Sequence, residues 1–141
     1  LDIPLAALEP YRQRRILIIT GDASDQTRVD ALLASGIEVL RAGSGTVVDG
    51  SRMTAELAAL GYRSIYAIAG PEVFYTLLDA KVINRLYLTI AQQLLGGEDY
   101  DTLTRGPLLT PAQGMSLISL HHDPYAPANA GQLFAVFEPQ D

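Results

Sequence analysis

Ser64–Val82, "SIYAIAGPEVFYTLLDAKV", places a short apolar run, a Gly-Pro step and a helical repeat in one stretch. Ser64–Ala69 has the length and continuous apolar character of a strand buried on both faces of a parallel sheet. Phe74, Leu77 and Leu78 follow at i, i+3 and i+4, the spacing of one buried helix face. Between them, Pro71 suits the first helical position, where the amide lacks a partner anyway, and Gly70 lets another group approach the backbone closely. A strand that turns through Gly-Pro into a helix is the step of an α/β sheet. The turn either only shapes the chain or also holds a ligand against the helix's first amides, and spacing alone leaves both readings open.

The same alternation continues outward in both directions. Arg15–Thr20, "RILIIT", reads as a buried strand, and Asp22, Ser24 and Asp25 offer N-caps for a helix running to about Ser35. Val29, Leu32 and Leu33 form its inward face, and Gly36 is placed to stop it. Ile37–Ala42 is a second strand, followed by a flexible "GSGT" loop. Asp49 and Ser51 can cap a second helix, with Met53, Leu57 and Leu60 on one face and Gly61 at its end. Beyond the Gly-Pro helix, Arg85–Leu95 reads as a long strand. Met115–His122 and Gln132–Glu138 read as a hairpin across the loop 123–131. The order β-α-β-α-β-α-β-β-β predicts an α/β domain with right-handed crossovers, a mainly parallel sheet and a C-terminal antiparallel hairpin.

The chain has 141 residues, of which 48% are hydrophobic and 18% charged, which predicts one globular domain over 1–141. A formal charge of −6 argues against nucleic-acid binding over a broad surface, which favours basic patches. No run reaches the ~20 apolar residues of a membrane span, so no membrane partner is expected. There is no secretory signal pattern. Cysteine is absent, which removes disulfides, thiolate metal sites and cysteine nucleophiles, and fits an expected cytoplasmic location.

In open α/β sheets ligands gather at the carboxyl ends of strands, beside helix N-termini. The loops 20–25, 42–46 and 69–73 lie there, and the last offers the amides of Glu72 and Val73. A phosphate at a helix N-terminus gains about 0.3–1 kcal/mol from the dipole. Each charge-assisted hydrogen bond adds about 1.5–3 kcal/mol. The G-x-G-x-x-G dinucleotide fingerprint is absent. His121 and His122 are neighbours on a strand, face opposite sides and cannot share a metal, so no metal site is expected. Asp99 and Asp101 in "GEDYD" read as a solvated turn. No general acid or base can be assigned from spacing, and the catalytic residues are unassigned.

The segment from Arg15 to Gly97, "RILIIT…DALLASGIEVL…ELAALGYRSIYAIAGPEVFYTLLDAKVINRLYLTIAQQLLGG", resembles the C-terminal reductase domain of the bifunctional riboflavin-biosynthesis deaminase/reductase, in the dihydrofolate reductase-like superfamily. The resemblance implies a three-layer α/β fold and NADPH-dependent reduction, by hydride transfer, of the ribosyl chain of a phosphorylated aminopyrimidine or a related pteridine or pyrimidine. It implies that Gly70, Pro71, Glu72 and Val73 receive the cofactor's phosphates, and that Thr20, Gly21 and Asp22 lie near the adenosine ribose. Arg28 or Arg41 would be the cation for a 2′-phosphate. The family turn Glu-Gly-Gly-Pro reads Ile68-Ala69-Gly70-Pro71 here, its Asp-Glu is Asn84-Arg85, and its Ala-Pro is Ala91-Gln92. The resemblance also implies a homodimer, and further N-terminal strands that this sequence lacks. The alternative is a non-catalytic nucleotide-binding or assembly module that keeps the fold.

Overall fold

A computed structural model describes residues 3–98, 102–125 and 130–140. Asp99, Asp101 and the middle of the 123–131 loop lie outside the described residues. The chain divides into two compact units, Leu1–Ile68 and Ala69–Asp141.

In the first unit a short helix α1 (Leu5–Leu8) and a 3-10 turn (Glu9–Tyr11) precede strand β1 (Leu17–Thr20). Helix α2 (Gln26–Ala34) starts where Asp25 accepts a hydrogen bond from the Thr27 amide at 2.9 Å. It ends at Gly36, whose φ of +76° is the left-handed turn expected there. Strand β2 (Glu38–Arg41) returns parallel to β1, with Leu17 opposite Glu38 and Thr20 opposite Arg41. The core is small: Ile18, Leu32 and Ile37 are buried together, flanked by Leu8, Ile16 and Val39. Burying a leucine such as Leu32 contributes about 1.5–3 kcal/mol. Leu33, expected inward, is exposed, because a two-stranded ladder offers the helix only a narrow platform.

The "GSGT" segment is ordered where a flexible loop was expected. Strands β3 (Gly43–Ser44) and β4 (Val47–Val48) form a small hairpin, with Gly45 at φ +59° in its two-residue loop. Helix α3 (Gly50–Ala59) follows, its Asp49 cap accepting from the Arg52 amide at 2.7 Å. Met53 and Leu57 are half-buried and Leu60 is exposed.

Ser64–Ala69 forms no strand, a correction to the expected third parallel member. A β-strand needs a neighbouring edge as well as suitable residues, and this run joins no ladder; Ile65, Tyr66 and Ile68 are exposed. Parallel pairing among the described residues is therefore confined to β1 and β2.

In the second unit, helix α4 (Pro71–Asp79) begins at the predicted Gly70-Pro71 step. Leu77 is buried, with Phe74 and Leu78 half-buried beside it, as the spacing predicts. Strand β5 (Leu86–Ala91) is shorter than expected: its partner strand runs out at Gln132, opposite Ala91, and Leu94 and Leu95 are exposed. Strands β6 (Met115–Asp123) and β7 (Gln132–Pro139) form the predicted hairpin. The antiparallel order is β5-β7-β6, with a bulge in β6 between Leu117 and Ser119. Arg85 and Glu138 form an ion pair at one end of this sheet.

Candidate functional site

In the first unit the carboxyl ends of β1 and β2 meet the hairpin. Thr20 is buried, and its hydroxyl shares a short hydrogen bond with Ser24 Oγ. A Cβ on Gly21 would fall on the Gly45 carbonyl oxygen and within 2.8 Å of Val47 N. Glycine is thus required at position 21 by the close backbone of the hairpin. Asp22 is exposed, and its Oδ2 lies 3.2 Å from Arg52 Nη1. The same nitrogen donates to the Gly43 carbonyl at 2.8 Å. Arg41 donates to the Asp22 carbonyl and, through Nη2, to Gln26 Oε1 at 2.7 Å. Two guanidinium groups therefore converge on the Asp22 turn. Arg28 instead stands 3.8 Å from Asp25 on its own helix.

Arg52 escaped the sequence reading. The signal for it was the Asp49 cap: capping fixes the first turn of α3, and Arg52 is three residues on, beside the sheet's carboxyl end. At the opposite, amino end of β1 and β2, a cleft of about 170 Å³ is lined by Leu5, Leu8, Arg12, Arg14, Arg15 and Ile37. None of the predicted site residues lines it. Arg15 there donates to both carboxylate oxygens of Glu38 at 2.7 Å. These hydrogen bonds hold the Glu38 carboxyl below the ordinary carboxylate range.

In the second unit the four predicted turn residues are contiguous at the start of α4. Gly70 is the N-cap at φ −71°, ψ 170°, extended backbone open to any residue, and Pro71 opens the helix. A Cβ on Gly70 would meet nothing within 4 Å. No side chain caps α4, in contrast to Asp25 on α2 and Asp49 on α3. Glu72 and Val73 are exposed. The Arg105 amide donates to the Pro71 carbonyl at 3.1 Å, so the segment after residue 102 braces this turn. Tyr75 packs its ring where a side chain on Gly106 would sit, and burial, with Asp79 nearby, pushes its hydroxyl pKa up.

His121 and His122 stand opposite Phe134 and Leu133 on adjacent positions of β6, and His122 Nε2 lies 3.4 Å from Gln92 Oε1. Among the described residues no three histidine or carboxylate side chains gather as a metal site. No helix among them is long and apolar enough to cross a membrane.

A crystal structure of a pyrimidine reductase-like protein from Corynebacterium diphtheriae matches 89% of this chain at a TM-score of 0.69 and 21% identity. The chain spans about half the length of that protein, covering 50% of it. The likeness shows a shared α/β fold, consistent with the dihydrofolate reductase-like class. Comparison with curated proteins gives no match. The RibD C-terminal domain family matches residues 4–126. That match takes in both the Asp22 turn and the Gly70-Pro71 turn, and the chain belongs to this riboflavin-type reductase family.

Proposed function

We propose that the chain is the nucleotide-binding part of an NADPH-dependent reductase that acts on the ribosyl chain of a phosphorylated aminopyrimidine, or on a related pyrimidine or pteridine. One observation carries the reading beyond family membership: α4 starts without a side-chain cap, behind a glycine that neither backbone geometry nor neighbouring atoms require. The amides of Glu72 and Val73 are the donors for the cofactor's phosphates, the use to which uncapped helix N-termini are commonly put. Within the first unit, the Asp22 turn is the proposed ribose contact, with Arg41 and Arg52 as cations for a 2′-phosphate. The residues present fit such a cofactor. When bound, a reduced nicotinamide supplies the hydride, and the chain's part is to fix its position, since reduction of this kind depends on placing donor against acceptor carbon. A cytoplasmic location accords with that substrate class.

A second reading, a nucleotide-binding module without turnover, is favoured by Ile68. It is fully exposed and apolar two residues before Gly70, where the family turn usually carries a carboxylate. Fluorescence titration with NADPH and NADH tests the shared part of both readings. Saturable binding that weakens in Gly70→Leu supports a cofactor at α4, and no binding of either nucleotide overturns it. Substrate-dependent oxidation of NADPH separates the reductase from the silent module.

A further inference from the structure

We propose that β6 is a self-association edge, against which a second copy of this chain lays its own β6 antiparallel, joining two three-stranded sheets into one. The strand is nine residues long and forms one outer edge of the order β5-β7-β6. Exposed strand edges are normally blunted by lysine, proline, inward charge or brevity. Met115–Leu120, "MSLISL", carries none of these. Leu117, Ile118 and Leu120 are 53%, 54% and 52% exposed.

The occupant is indicated by the strand's own pattern, which is the same read in either direction: apolar, polar, apolar, apolar, polar, apolar. With a two-fold axis between Leu117 and Ile118, Met115 faces Leu120 of the second copy, Ser116 faces Ser119, and Leu117 faces Ile118. The bulge is what makes this register work. Ser116 and Ser119 stand opposite Glu138 and Val136, alternate residues of β7, and so share one face of the sheet. Met115, Leu117 and Leu120 stand opposite Pro139, Phe137 and Ala135, and share the other. Without the extra residue, positions three apart would point to opposite faces and the serine pair would be broken. A two-fold pairing keeps like faces together and needs no other polypeptide.

The absence of cysteine makes the test clean. Chains carrying Ser116→Cys and Ser119→Cys are mixed and mildly oxidised, and each is also oxidised alone. The proposed register puts 116 of one copy directly opposite 119 of the other, within disulfide reach, while two copies of position 116 are about 10 Å apart along the strand. Wild type should sediment as a dimer, and the mixture should give a disulfide-linked dimer that neither variant gives alone. Ile118→Lys, which sets like charges across the axis, should shift the chain to monomer with its circular dichroism unchanged. A wild-type monomer at the highest soluble concentration, or cross-linking no greater in the mixture than in the single variants, overturns the proposal. The cysteine variants leave the edge intact, so misfolding of Ile118→Lys does not blunt the test.

Discussion

Arg52 Nη1 reaches the Asp22 carboxylate at 3.2 Å and the Gly43 carbonyl at 2.8 Å, tying the end of β1 to the β3–β4 hairpin from the first turn of α3. Both charged side chains are about half exposed. As a stabilising pair they are thus worth only about 0.2–1 kcal/mol. Arg52→Gln should barely move the melting temperature. If this turn receives a 2′-phosphate, the same change should weaken NADPH binding while leaving NADH binding nearly untouched. Parallel titrations of the variant read this directly, and equal weakening of both nucleotides would remove Arg52 from any 2′-phosphate contact.

Gly21 and Gly70 should respond in opposite ways to alanine. At Gly21 the new methyl would overlap the Gly45 carbonyl, and overpacking of this kind costs about 1–3 kcal/mol. Gly70→Ala meets open space on extended backbone and should leave stability unchanged. Urea unfolding of the two variants checks the contrast; a stable Gly21→Ala would mean that the hairpin gives way easily.

The Arg15–Glu38 contact predicts a pH dependence. Hydrogen bonding by Arg15 lowers the Glu38 pKa in the folded chain. The contact therefore stabilises above the unfolded carboxylate pKa, and that stability is lost as pH falls through the lower folded value. Glu38→Gln should melt slightly below wild type at neutral pH and converge with it in acid. Melting curves across the acidic range check this, and added salt should shrink the gap.

Asp49→Ala removes the side chain that caps α3 through the Arg52 amide. The expected cost is about 0.5–2 kcal/mol, read from urea denaturation. Because the cap also fixes where Arg52 starts, the variant should share part of the nucleotide phenotype of Arg52→Gln.

Local chemistry made much of this chain legible in its sequence. Asp25 and Asp49 cap the helices they were expected to cap, Gly36 and Gly61 take positive φ at helix ends, and Gly70-Pro71 opens α4. Each depends on a few adjacent residues. The run at 64–69 was misread because its apolar pattern states a preference for burial and says nothing about whether an edge is available to pair with. The "GSGT" hairpin was missed because four residues carry too little pattern, although Gly45 marked the turn. At the Asp22 turn, Asp22 was singled out as a site residue and Arg41 as one of two possible cations, while Arg52 was not, since it comes into play only once α3 is capped and set beside β3. Gly21 shows the limit from the other side: its glycine is explained by packing, whatever else the turn does.

The strand order of the second unit carries a consequence for biosynthesis. β7 follows β5 and β6 in sequence but lies between them in space. While the ribosome is still adding Gln132–Pro139, the two earlier strands have no common partner, and the whole ladder closes in one late step. A nascent chain stalled before Gln132 therefore displays two unpaired apolar strands at once, and quality control has a single decisive event to monitor in this half of the protein.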